Sequence, residues 1–127
     1  MMVVGIGIDL AEIGRIRAVW ERYGDRFLDR VLTGPEKRVL AARPDGAPLL
    51  AAFWAAKEAA SKALGTGFRQ GVHHKCMQVA HLPSGKPELS FLGRGLEVAE
   101  ALGVSSAHVS LTHERDMAAA VVVLERA

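Results

Sequence analysis

The order of apolar periodicities along the 127-residue chain predicts an α+β fold, with a largely antiparallel sheet packed on one long central helix. Three observations lead there. A stretch rich in the strong helix formers Ala, Leu, Lys and Glu starts at Leu49 and Leu50 and ends at Gly65 and Gly67. Short runs of β-branched and apolar residues stand at both ends of the chain, and the last two are separated only by Glu114-Arg-Asp116, as in an antiparallel hairpin. The order strand, helices, two strands, helix, two strands does not alternate as a doubly wound sheet would.

Taken in order, residues 3–10, Val-Val-Gly-Ile-Gly-Ile-Asp-Leu, read as a buried strand that delivers a carboxylate, Asp9, at its end. Asp9 suits a metal ligand, a base or the cap of the next helix, and the strand alone does not choose. Gly5 and Gly7 point to close backbone approach. A helix over 12–23 follows, with Ile13, Ile16, Trp20 and Tyr23 as its apolar seam and Gly24 as its stop. Its other face carries Arg15, Arg17 and Arg22, and residues 25–32 add Arg26 and Arg30 around Phe27. Arginines beside an exposed aromatic make a docking surface for an acidic partner helix, unless Glu21, Asp25 and Asp29 merely balance a solvated face.

Thr33 with Glu36 forms a capping box, and Pro35 suits the first turn of a third helix through Val39 and Leu40. The loop 43–48 leads into the central helix. Its apolar stripe passes through Phe53 and Trp54 and continues onto Lys57, Glu58, Ser61 and Lys62. Glu58 and Lys62 stand one turn apart, as do Lys57 and Ser61, so a carboxylate, ammonium groups and a hydroxyl can share one ligand. An ordinary exposed ion pair has the same spacing, and only the rest of the chain decides between the two.

Residues 68–75 read as an irregular, mobile loop with His73 and His74 on the surface. Adjacent histidines cannot both face one ligand in a strand, and no third lies at a metal-site spacing. Strands at 76–82 and 88–92 are joined by the turn 83–87, which exposes Lys86. A helix over 94–102 stops at Gly103. In the final hairpin, 107–113 and 117–124, alternation puts His113 on the apolar face with Val109 and Leu111.

Composition bounds the function. At this length the chain is expected to be a single domain, residues 1–127, for which oligomerisation is a natural way to bury more surface. A net charge of +2 and a pI near 9.0 suit an acidic partner without demanding nucleic acid. The lone Cys76 rules out an internal disulfide and fits a reducing, cytoplasmic setting. The apolar start ends at Asp9 with no basic region before it, so it does not read as a signal peptide, and no window is long enough for a membrane span.

Three segments then fall into one pattern: Gly5-Ile-Gly-Ile-Asp9 followed by Arg15-Ile16, residues 53–67 with Lys57-Glu58-Ala-Ala-Ser-Lys62-Ala, and Val109-Ser-Leu-Thr-His113. Together they resemble the holo-acyl-carrier-protein synthases, the short class of 4′-phosphopantetheinyl transferases, over nearly the whole chain, and Gly85-Lys86-Pro87 fits too. The resemblance implies the fold of that family. It also implies transfer of 4′-phosphopantetheine from coenzyme A to a serine of apo acyl carrier protein, releasing adenosine 3′,5′-bisphosphate. Asp9 and Glu58 would hold magnesium, and Lys62 would neutralise charge at the phosphate. The serine's proton would go to Glu58 directly or to a metal-bound water activated by Asp9 or Glu58. Lys62, Gly65, Lys86, Pro87 and His113 would contact coenzyme A, and Arg15, Arg22, Arg26, Phe27 and Arg30 would dock the carrier. The family's short members are homotrimers with sites shared between subunits. In the family an arginine commonly stands where this chain has Phe53, so one phosphate contact is either missing or supplied by Lys57 or Arg69.

A magnesium-dependent phosphohydrolase of a nucleotide diphosphate would want the same Asp9, Glu58 and Lys62, though not an arginine-rich docking helix. A small basic binding module would explain the arginines and leave Glu58 and Lys62 idle. The lack of interleaved exposed aromatics argues against a single-strand nucleic-acid platform.

Overall fold

A computed structural model describes all residues, 1–127. Its axis is α4 (Ala47–Leu64), opened by Pro48 in its first turn and closed by Gly65, whose φ of 83° only glycine adopts at low cost. Alanines occupy nearly every face: Ala47, Ala51, Ala52, Ala55, Ala56, Ala59, Ala60 and Ala63 are all buried. A helix so thin can be enclosed on most sides, and the fold encloses it except along the stripe that carries Trp54, Glu58 and Lys62.

One side of α4 meets a three-stranded sheet made of β1 (Met2–Glu12), β5 (Met117–Arg126) and β4 (Ser106–Glu114) in the spatial order β1-β5-β4, every pair antiparallel. In β5, Ala118, Ala120, Val122 and Leu124 point to the helix and are buried, the alternation of a half-covered strand. β1 corrects the expectation of a fully buried strand. Its apolar members Ile6, Ile8 and Leu10 are 66 %, 68 % and 64 % exposed, and Gly5 and Gly7 face the helix instead. A Cβ at Gly5 would collide with the carbonyl oxygen of Ala63, and one at Gly7 with that of Ala59. The glycines bring β1 down onto the α4 backbone.

The rest wraps the other sides. α1 (Ile13–Tyr23) buries Ile13 and Ile16, whereas Tyr23, expected in the same seam, is exposed beneath Arg22, 5.3 Å from the guanidinium carbon to the ring centre. Gly24, at φ 56°, turns the chain into a separate helix α2 (Asp25–Val31). α3 (Gly34–Ala41) follows with the expected capping box, Glu36 Oε1 accepting from the Thr33 backbone N–H at 2.8 Å. Beyond α4, the stretch expected to be an irregular loop ends in a 3₁₀ turn, His74–Cys76, leading into β2 (Met77–His81). This strand pairs antiparallel with β3 (Pro87–Phe91) as a two-stranded sheet, and α5 (Gly93–Ala101) completes the cover.

Candidate active site

On β1 the positions that face α4 are Gly5, Gly7, Asp9 and Ala11. On α4, Glu58 and Lys62 each precede the alanine under a glycine, Ala59 under Gly7 and Ala63 under Gly5. Two close approaches therefore fix where three side chains meet. Lys62 Nζ donates to Asp9 Oδ1 at 3.1 Å and to the Ile8 carbonyl at 2.9 Å. The Lys62 side chain remains 52 % exposed, so the ammonium is free to turn toward a ligand, while Asp9 is largely covered. Glu58 is half-buried. Burial first, and the nearby Asp9 charge second, push its carboxyl above the usual range, with Lys62 pulling the other way. The expected convergence of Asp9, Glu58 and Lys62 is present.

No three His, Cys, Asp or Glu side chains converge as a metal cluster anywhere in the chain. The Asp9 and Glu58 carboxylates still suit a cation that keeps its waters and takes phosphate oxygens for most of its shell. They repel one another, and the single ammonium beside them leaves net negative charge.

Lys57 is a correction: it does not share a ligand with Glu58 or replace a phosphate contact. It points away from the Asp9–Lys62 contact, wholly buried, and donates to Glu36 Oε1 at 2.7 Å and to the carbonyls of His74 and Met77, each at 2.9 Å. All three ammonium protons are used. Glu36 is occupied in turn, its Oε2 accepting from the Val79 N–H at 2.8 Å. Burial lowers the Lys57 pKa, and Glu36 partly offsets it. Ser61 is likewise absent from the site, its hydroxyl donating to the Glu58 carbonyl at 2.7 Å. Phe53 is fully buried 6.3 Å from the His81 ring, a packing role.

His74, expected on the surface, is the residue that sequence reasoning missed. Its ring lies between Trp54 at 4.6 Å and Phe68 at 4.0 Å, centre to centre, and its Nε2 is 3.7 Å from Glu58 Oε1. Burial, followed by the charges of Lys57 and His73, lowers its pKa from 6.5 to about 4. One signal was available: Trp54 precedes Glu58 by four residues, so a ring stacked on Trp54 lies over the carboxylate. His73 is exposed, as expected.

Of the expected coenzyme A contacts, Gly65 caps the helix that bears Lys62. Lys86 ends the β2–β3 turn and Pro87 opens β3, on a different sheet from Asp9. His113 lies on the helix-facing side of β4, in register with buried Ala118, but at the strand end it is exposed rather than in the core. Arg26, Phe27 and Arg30 line a cavity of about 600 Å³ with Val19, Tyr23 and Asp29. Arg15 and Phe27 share a second cavity of about 420 Å³ with Leu10, Trp54 and Met117. Phe27 and Trp54 pack as a tilted pair with ring centres 5.8 Å apart and join this arginine-rich surface to the helix that carries Glu58. Arg17 is engaged elsewhere, in a two-bond pair with Asp45 at 2.9 and 3.0 Å.

Known proteins are similar to this chain in sequence and fold. A holo-(acyl-carrier-protein) synthase from Maridesulfovibrio salexigens is 47 % identical over 98 % of this chain and 100 % of its own length. The crystal structure of the holo-(acyl-carrier-protein) synthase from Neisseria meningitidis superposes with a TM-score of 0.90 at 35 % identity, covering 98 % of this chain and 100 % of that one. That of a holo-(acyl-carrier-protein) synthase from Bacillus anthracis, in complex with coenzyme A (3′,5′-ADP), gives 0.84 at 34 % identity, with both chains fully covered. The sequence pattern of one family runs from Gly5 to Val122, through Asp9, Glu58 and Lys62, and by that match the chain belongs to the 4′-phosphopantetheinyl transferase superfamily.

Proposed function

We infer that the chain is a transferase that moves 4′-phosphopantetheine from coenzyme A to a serine of an apo acyl carrier protein. The observation that carries this is the meeting of Asp9, Glu58 and Lys62 on one face of the α4–β1 contact, in a chain 47 % identical end to end to a holo-(acyl-carrier-protein) synthase. We read residues 1–127 as one transferase domain.

In the proposed reaction the carrier serine oxygen forms a bond to the β-phosphorus of coenzyme A. The pyrophosphate P–O bond breaks, and adenosine 3′,5′-bisphosphate leaves with the electron pair. Asp9 and Glu58 would hold magnesium, which when bound neutralises charge on the pyrophosphate. Lys62, anchored on Asp9 but half-exposed, is able to turn its ammonium toward the leaving phosphate. Glu58, whose carboxyl is pushed above the usual range by burial and by Asp9 in the metal-free chain, is proposed as an acceptor of the serine proton.

Gly65, Lys86, Pro87 and His113 are proposed to contact coenzyme A. Lys86 and His113 sit on elements apart from Lys62, and a homotrimer in which neighbouring subunits complete each site is proposed to bring them together. The exposed Ile6, Ile8 and Leu10 support an assembly through this sheet face. Arg15, Arg22, Arg26, Phe27 and Arg30 are proposed to receive the acidic helix of the carrier. A cytoplasmic setting agrees with the lone, buried Cys76.

The test is the intact mass of an apo acyl carrier protein incubated with the chain, coenzyme A and magnesium. A gain of one phosphopantetheine, absent when the metal is chelated, is expected. Breakdown of coenzyme A with no gain on the carrier would replace the transferase with a phosphohydrolase.

A further inference from the structure

The imidazole of His74 is held from both ends. Its backbone carbonyl is bonded to Lys57 Nζ at 2.9 Å, and Lys57 is itself locked on Glu36 at 2.7 Å, so the 3₁₀ turn cannot drift from α4. Its ring is clamped between Trp54 and Phe68, at 4.6 and 4.0 Å. A side chain so constrained ought to have its polar atoms satisfied, because leaving a buried nitrogen without a partner forfeits its hydration with nothing in return. Nε2 is nevertheless buried and unbonded, and the polar group it faces is Glu58 Oε1, 3.7 Å away. A shift of about 1 Å closes that gap to a hydrogen bond, and the terminal torsion of a glutamate is soft enough to supply it.

We propose that His74 is a positioning residue for Glu58, its Nε2–H donating to Oε1 so that the other carboxylate oxygen is turned toward the divalent cation shared with Asp9. This rests on the reading of Asp9 and Glu58 as the cation's carboxylates. The logic is that of other metal sites: a ligating carboxylate is itself hydrogen-bonded, and the outer partner fixes its orientation. Glu58 has no other side-chain donor within bonding distance, since Lys62 is engaged with Asp9 and Ile8, and Lys57 points away. The aromatic clamp sets the ring plane and the Lys57 bond sets its height. Tyrosine or phenylalanine would fill the same slot without offering a nitrogen there.

The test is Mn²⁺ titrated into the metal-free full chain, with free Mn²⁺ read by electron paramagnetic resonance and folding followed by thermal unfolding. His74→Phe keeps the stack and removes the donor; a Kd for Mn²⁺ weakened about tenfold is expected. His74→Gln places an amide nitrogen close to where Nε2 lies, and its Kd is expected to stay within about threefold of the parent. Equal Mn²⁺ affinity in parent and His74→Phe would overturn the proposal, as would an equal loss in both variants, which would assign the effect to the ring. The carrier-mass assay separates the two readings. A parent that binds Mn²⁺ with the expected contrast but modifies no carrier overturns the transferase and leaves His74 in its role. A parent that modifies the carrier while His74→Phe binds Mn²⁺ normally overturns the role of His74 alone.

Discussion

Glu58 carries its charge where charge is disfavoured, half-buried beside Asp9. Its folded pKa lies above the ordinary value, so this carboxyl binds more proton in the folded than in the unfolded chain from about pH 4.5 up to the raised value, and its own contribution to stability falls as pH rises through that window. His74, lowered to about 4, contributes the opposite slope up to about pH 6.5. Glu58→Gln removes the charge with little change of shape, so the metal-free variant should unfold at a higher temperature than the parent at pH 7, with the gap between the two opening as pH rises from about 4.5. The same variant should lose magnesium-dependent transfer by 100-fold or more, on the order of what removing one charge-stabilising group does. Unfolding temperatures across pH 4–8, with turnover measured beside them, check both halves; retained turnover would remove Glu58 from the chemistry. At this scale the site was partly legible. The four-residue step from Glu58 to Lys62 is a helix property and survives into the fold. The direction of Lys57 was not legible, because alanines are buried on nearly every face of α4 and leave little contrast to orient it by.

At the scale of elements, the buried Lys57–Glu36 pair ties α3, α4, the His74–Cys76 turn and β2 together through bonds to Thr33, His74, Met77 and Val79. Removing one partner leaves a charge buried without compensation and two carbonyls without donors. Lys57→Met should destabilise the chain by about 3–5 kcal/mol. Lys57→Met combined with Glu36→Leu should recover part of that loss in denaturant unfolding, since the orphaned carboxylate is gone. A double variant no more stable than the single would deny the coupling. Sequence showed Glu36 only as a local cap. Its second bond, to Val79, spans 43 residues, and no local pattern reports such a contact. The element order and the hairpins were legible because alternation and turn residues are local. The strand β1 was misjudged because its glycines, not its isoleucines, face the helix.

At the scale of the whole molecule, the exposed face of the β1-β5-β4 sheet presents Ile6, Ile8 and Leu10 with half-buried Val121 and Val123 in register. A sheet face this apolar is unfavourable in water, and the proposed homotrimer would cover it; sedimentation should then give three times the 13.6 kDa chain mass. Ile8→Lys should shift it to the monomer and abolish transfer even though Asp9, Glu58 and Lys62 are untouched. A sharper test asks whether His113 serves the same chain's Glu58 or a neighbour's. Glu58→Gln and His113→Ala chains, each expected to be inactive alone, are mixed at equal amounts, unfolded together and refolded. In a cyclic trimer holding both kinds, one of the three interfaces joins an intact Glu58 to an intact His113. Random assembly makes about three quarters of the trimers mixed, so about a quarter of the parent activity should return. If each site lies within one chain, no assembly pairs the intact halves, and activity stays at the level of the separate variants.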